Sequence, residues 1–281
     1  MMTMSFSEGN SMSTLQESEI QAHIERLRKD KTVALDSVKQ AHVWLQRKRN
    51  ARQCGRILGD SRTGKTKACE SYLKKNGQLD FSDKIPIIPV SYIHPKQECT
   101  SRELFREILE QYGDDLPRGT VGDARSKTLK VLRACQTEML IIDEADRLKP
   151  KTFADVRDIF DKLEISVILV GTEKRLDFAV KKDEQVFNRF RSRYRMGTIP
   201  KDQLAQVVGV WERDIIKLPV PSNLTAEPML KVLRKATGLP KKGYYIGLIH
   251  MVLKEAAIRA LESGQTKIDL TLLKEVAEEY S

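Results

Sequence analysis

The stretch Gly59-Asp60-Ser61-Arg62-Thr63-Gly64-Lys65-Thr66 constrains this chain more than any other. It satisfies every fixed position of G-x-x-x-x-G-K-[ST], a loop whose backbone N–H groups turn inward around a phosphate. Ile57 and Leu58 precede it, and helix-compatible residues run from Thr66 to Leu73. A strand, a glycine turn and a helix N-terminus, in that order, are the context such a loop requires. Asp60, Ser61, Arg62 and Thr63 form the wall between Gly59 and Gly64. Lys65 is positioned to reach β- and γ-phosphates, and Thr66 to offer its hydroxyl to Mg²⁺.

The loop has a partner downstream. Met139-Leu140-Ile141-Ile142-Asp143-Glu144 is four apolar residues followed by two acids, the pattern of a buried parallel strand with carboxylates at its end. Asp143 suits the hydration shell of Mg²⁺, and Glu144 suits polarising a water that attacks a γ-phosphate. A further apolar strand, residues 165–170, ends at Gly171-Thr172, where a polar side chain would lie between the two motifs. The alternative for Thr172 is a plain strand-ending turn. ATP and Mg²⁺ are the ligands these residues imply.

Strands and helices alternate from about residue 51 to 200, which predicts a parallel α/β sheet flanked by helices. Strands are expected at 55–58, 85–93, 139–142, 165–170 and 194–199. Pro86 and Pro89 put the second near an edge or make its start irregular. Thr120, with Asp123 three residues on, marks a helix start. From Lys201 the pattern is helical only, at 201–217, 226–237, 244–263 and 269–280, a small lid. Residues 1–14 read as disordered, and 15–50 as a helical segment in which Ile20, Ile24 and Leu27 share a face. Trp44 is either a core residue or a stacking surface for an adenine ring; His42 reads as packing. The basic cluster Arg47, Lys48, Arg49 and Arg52 is either a solvated helix end or a contact for an anion.

Charge and cysteine usage narrow the partners. Lys and Arg number 49 against 39 Asp and Glu, a formal charge of +10, which points to a polyanion, nucleic acid before membrane. No apolar run approaches the ~20 residues of a membrane span. Met1 to Ser13 holds no apolar signal core, and Cys54, Cys69, Cys99 and Cys135 are too scattered for a zinc or disulfide framework. A bacterial cytoplasmic setting is expected.

Together these motifs resemble the AAA+ ATPases. The segment MLIIDEADRLKPKTFADVRDIF, the loop SRTGKT and the layout from about Leu15 resemble, more narrowly, the TnsC/TniB group and its TnsC-like members in CRISPR-associated, RNA-guided transposons. That resemblance implies an AAA+ phosphate-loop fold with a C-terminal lid. It also implies a regulator that polymerises with itself on double-stranded DNA when ATP is bound. Such a regulator links the target complex, through TniQ, to the TnsB transposase and disassembles on hydrolysis. Gly59, Gly64, Lys65 and Thr66 match Walker A, Asp143 and Glu144 Walker B, and Thr172 sensor 1. Arg189 matches the trans-acting arginine finger, with Arg191 close behind. Arg102, Arg118, Thr120 and Lys149 match the DNA-facing positions, which hold phosphates without reading bases.

One position departs from the pattern. Leu248 stands where such lids carry the sensor 2 arginine; either Lys241 or Lys242 substitutes, or the lid adds little to γ-phosphate sensing. Two other functions therefore stay open: a nucleotide-holding scaffold with little turnover, and a replication initiator or helicase loader. The second often appends a helix-turn-helix domain after the lid, for which no room is expected before Ser281.

Overall fold

The computed structural model describes residues 17–29, 33, 35–77, 85–239 and 243–280. The disorder expected for 1–14, and Lys241 and Lys242, fall outside them. By its contacts the chain divides after Val33 and after Thr198 into two units. The middle unit holds the sheet. Residues 199–281 together with 1–33 form the other. The helical segment expected over 15–50 is thus shared: α1 (Glu17–Arg28) goes with the C-terminal helices, and α2 (Asp36–Asn50) with the sheet.

The sheet unit runs β1 (Gly55–Leu58), α3 (Lys65–Asn76), β2 (Val90–Ile93), α4 (Ser101–Gln111), α5 (Val121–Ala134), β3 (Met139–Ile142), α6 (Thr152–Leu163), β4 (Ser166–Gly171), α7 (Glu173–Lys181), α8 (Glu184–Arg189) and β5 (Arg193–Arg195). The strands are parallel in the order β2-β3-β4-β1-β5. Every residue of β1, β3 and β4 is buried, as continuous apolar runs predict. Their side chains alternate between two cores. Leu58, Leu140, Ile142, Val167 and Leu169 meet α4, α6 and α7. Ile57, Met139, Ile141, Ile168 and Val170 meet α2 and α3. The period of two along each strand builds both layers at once.

Two strands differ from the expected spans. β2 begins only at Val90, because Pro86 and Pro89 have no N–H to donate; the Pro89 carbonyl instead accepts from Glu138 and Met139. It lies at the sheet edge. β5 stops at Arg195 rather than Ile199: Met196 N–H makes one last bond to the Leu58 carbonyl, and Ile199 pairs instead with Tyr244. Trp44 is a packing residue, 5.9 Å from the Tyr194 ring. A Cβ on Gly55 would sit 2.6 Å from the Trp44 ring, so glycine is what admits the indole. His42 hydrogen-bonds the Ala68 carbonyl and Ser71.

The C-terminal unit contains a 3-10 turn (Lys201–Gln203), α9 (Leu204–Trp211), a π turn (Glu212–Ile216), α10 (Glu227–Thr237), the two-stranded β6 (Gly238–Leu239) and β7 (Gly243–Tyr244), α11 (Ile246–Glu262) and α12 (Leu270–Glu278). Helical turns run without a gap from Lys201 to Ile216, matching the helix expected over 201–217 to within a residue, and beyond it the Glu212 carboxylate accepts from Ser222 and Leu224 N–H. Arg26 of α1 donates to the Ile215 and Ile216 carbonyls, closing the π turn and tying α1 to this unit. Leu248 is half-buried in the first turn of α11.

One charge lies inside the sheet. Arg56, in β1, is 1% exposed; its Nε donates to the Phe190 carbonyl (2.8 Å) and its guanidinium pairs with Asp177 of α7. Burial lowers the Arg56 pKa and Asp177 opposes that shift. Leaving a buried arginine without its carboxylate costs about 3–5 kcal/mol. Asp177→Ala is therefore expected to lower stability by about that much, read from chemical denaturation midpoints. Arg56→Met is expected to cost less, since the Asp177 carboxylate it leaves behind is more exposed than Arg56 and keeps Arg193 at 3.9 Å.

Candidate nucleotide site and DNA-facing surface

The phosphate loop follows β1 as the motif requires. Gly59 is held so close to the Met196 carbonyl that a Cβ would lie 2.3 Å from that oxygen. Gly64 has φ 91°, a left-handed conformation that glycine adopts without strain. It opens α3 with no side chain capping the helix, whereas α4 and α5 each begin with a full capping box. An uncapped N-terminus leaves first-turn N–H groups for an anion. The Lys65 ammonium donates to the Gly59 and Asp60 carbonyls, each at 2.9 Å. Burial lowers its pKa; Glu144, Asp143 and Asp146 push it back up. Thr63 is buried and donates to the Asp60 carbonyl, fixing the loop, while Asp60, Ser61 and Arg62 face solvent. Thr66 sits half-buried in the first turn.

The carboxylates lie at the end of β3, separated from β1 by β4. Asp143 is fully buried. Its Oδ1 accepts from Glu144 N–H at 2.8 Å, and its Oδ2 accepts from the Tyr92 hydroxyl at 2.7 Å. Glu144 takes a left-handed conformation (φ 49°, ψ 39°), so its carboxylate leaves the strand direction and stands 3.8 Å from Arg147. Arg147 also meets His94 and the Pro95 carbonyl after β2. Thr172 follows β4, the strand between the two motifs. Its Oγ1 and the Asp146 Oδ1 are buried without a hydrogen-bond partner. An unpartnered buried hydroxyl, an uncapped helix start and a buried ammonium make a donor set that fits a polyphosphate. The Thr66 hydroxyl and the Asp143 carboxylate are oxygens of the kind that Mg²⁺ takes.

The arginines of the 189–195 segment differ in their partners. Arg189 Nε lies 3.1 Å from Asp161 of α6, while Asp183 caps α8. Arg195 pairs with Glu173. Arg191 is exposed and stands over the Phe187 ring at 5.6 Å.

Three of the DNA-facing candidates converge. The Arg102 guanidinium donates to the Pro117 carbonyl (3.1 Å) and the Gly119 carbonyl (2.8 Å), so it braces the loop that carries Arg118 and Thr120. Arg118 is exposed. The Thr120 hydroxyl is already engaged with Asp123 in the α5 capping box. Lys149 is exposed, and its N–H bonds the Cys99 carbonyl, just ahead of α4.

A model of the family described as the bacterial TniB protein matches residues 22–196, more than half of the sequence. The chain belongs to the TniB family. No curated protein matches it at a significant level. Among solved structures, this TniB-family chain is similar to Cdc6p from Pyrobaculum aerophilum: 17% identity, TM-score 0.70, covering 91% of this chain and 70% of that one. It is similar to the Aeropyrum pernix ORC2 protein in its ADP form, with 14% identity, TM-score 0.67 and coverage of 91% and 72%. It is also similar to Aeropyrum pernix ORC1 in complex with DNA, with 15% identity, TM-score 0.61 and coverage of 91% and 69%. At these identities the likeness is one of fold, that of the AAA+ ATPases. Among the described residues, no helix is long and apolar enough to cross a membrane.

The motifs name Asp143 but not what holds it. Tyr92 is not legible from the motifs because its role depends on strand pairing: it lies beside Ile141, 51 residues away from Asp143 in sequence. A buried-strand tyrosine needs a partner for its hydroxyl, and this was the available signal. Partners behind metal ligands are worth about 10–100-fold in metal affinity. Tyr92→Phe keeps the ring and removes only that bond. Binding of Mn²⁺ in the presence of a non-hydrolysable ATP analogue, followed by electron paramagnetic resonance, is expected to weaken about 10-fold or more with no change in melting. Unchanged affinity would mean Asp143 needs no such support.

Proposed function

We propose that this TniB-family protein is an ATP-dependent, DNA-binding transposition regulator of the TnsC type, whose output is an assembly state. The observation that carries this reading is the set at the strand ends: Lys65 after β1, Thr172 after β4, and Asp143 and Glu144 after β3. Lys65 and the first turn of α3 hold the phosphates of ATP. Mg²⁺, held by Thr66 and Asp143, screens the phosphate charge. Glu144 orients water, and Thr172 offers its hydroxyl to the γ-phosphate. Arg189 or Arg191 reaches the nucleotide of a neighbouring copy. Arg189 is tied to Asp161 by an exposed pair worth about 1 kcal/mol or less, so it can be withdrawn.

In this reading copies of the chain polymerise on double-stranded DNA, join a TniQ-containing target complex to the TnsB transposase, and disperse on hydrolysis. The TniB match supports transposition over replication initiation. A scaffold with little turnover is the second reading, favoured by the Arg147 contact to Glu144 and by Leu248 in the lid. Steady-state phosphate release with and without duplex DNA distinguishes the two.

Lys65→Ala is expected to abolish nucleotide-dependent assembly. Glu144→Gln is expected to retain ATP and give long-lived assemblies, because Asp143 is untouched while the water loses its base. Disassembly of the Glu144→Gln protein at the wild-type rate in ATP would remove Glu144 from that role. For the arginine, Arg189→Ala and Arg191→Ala proteins are each mixed with Lys65→Ala protein, with co-assembly checked by gel filtration. ATPase activity should return only for the variant that lacks the finger. DNA binding should be sequence-tolerant, and Lys149→Glu should reduce the salt slope by about one. A base-specific footprint that survives high salt would contradict the phosphate-contact reading.

A further inference from the structure

The C-terminal unit carries a concave feature lined by none of the residues assigned above to nucleotide or DNA. α10 and α12 meet along a trough of about 350 Å³. Its floor is Val232, Ala236, Leu270 and Ala277. The trough exists because alanine stands at two facing positions, Ala236 and Ala277, where longer side chains would fill the gap. Both alanines are nearly buried, at 7% and 4% exposure.

The rim is cationic. Lys231 and Lys235, one turn apart on α10, and Lys274 on α12 line it, against a single acid, Glu278. The arginines of the same unit are spent elsewhere: Arg234 on Glu227, Arg259 on Glu255 and Glu279, Arg213 on Asp214. Lys235 and Lys274 have no ion pair among the described residues. The free positive charge of this face is therefore concentrated around an apolar depression.

We propose that this trough is a docking site for an acidic amphipathic helical segment of a partner protein. An apolar stripe at helical spacing fills a groove of this kind, while flanking Asp and Glu meet the lysines. The charge fixes the kind of partner and its rate of encounter. Duplex DNA is the poorer match, because it offers phosphates to the rim but no apolar projection for the floor. The site lies wholly within the C-terminal unit and does not depend on the nucleotide reading.

The test uses the full chain and a random 16-residue peptide display library, with counter-selection on a Lys235→Glu/Lys274→Glu double variant. These lysines are exposed, so the exchange leaves the core intact. Enriched peptides are expected to carry apolar residues at i, i+3 or i+4, and i+7, flanked by acids. By fluorescence anisotropy they should lose at least about 10-fold in affinity on the double variant, and regain it when their acids are replaced by lysine. Ala277→Phe, which fills the floor, should block them too; if that variant misfolds, the double variant decides alone. The proposal fails if no acidic amphipathic sequence is enriched, or if selected peptides bind the double variant as tightly as wild type. It fails equally if duplex DNA displaces them and shields the three lysines from amine-reactive labelling, which would make the trough a nucleic-acid contact. Loss of self-association in the double variant would assign the trough to a second copy of the chain and likewise overturn it.

Discussion

Burial of β1, β3 and β4 on both faces is the constraint from which the rest follows. With helices covering each side, these strands have no room for a hydrated charge along their length. Charged and polar groups can gather only where the strands end. Because the strands are parallel, their carboxyl ends come out together, and Gly59, Asp143 and Thr172 each come directly after one. The site is thus a consequence of the apolar runs as much as of the motif residues. Arg56 is the exception that tests the rule. It is tolerated inside the sheet only because Asp177, the Phe190 carbonyl and the Phe187 ring surround it.

That exception ties the site to the arginine segment. Arg56 reaches α7 through Asp177 and the end of α8 through Phe190, and β1 pairs with β5 at Arg193 to Arg195. The strand that leads into the phosphate loop therefore holds the backbone on which Arg189 and Arg191 are mounted. A buried pair is a weak stabiliser compared with apolar packing but a strong constraint on geometry once formed. The Arg191 guanidinium stands over the Phe187 ring, and that of Arg189 lies on Asp161.

What the sequence disclosed was local. Walker A, the MLIIDE strand and the capping box at Thr120 are each contiguous, and each shows its chemistry within about eight residues. The alternation of strands with helices, hence the parallel sheet, is read from a succession of such local runs. The unread features are long-range. Tyr92 to Asp143, Arg56 to Asp177 and Arg26 to the π turn join residues 51 to 190 positions apart. The placement of α1 with the C-terminal helices has the same cause. Its pattern of Ile24 and Leu27 shows that one face is buried, without saying against what. The bounds of β2 and β5 differ from the apolar runs for backbone reasons: Pro86 and Pro89 carry no N–H, in keeping with the irregular edge start expected there, and Ile199 pairs with Tyr244 instead of β1.

Asp143 and Glu144 show how one step of backbone separates two acids. In an extended strand, consecutive side chains point to opposite faces, so Glu144 would enter the core opposite Asp143. The left-handed turn at Glu144 prevents this, at a cost of roughly 1–2 kcal/mol for a residue with a Cβ. The bond from its own N–H to Asp143 Oδ1 helps to hold the turn, so the two acids are positioned together. Asp143 remains buried and accepts from the Tyr92 hydroxyl. Glu144 emerges half-exposed beside Arg147, where solvent reaches it. A single strained residue thus gives neighbouring carboxylates different solvation and different partners.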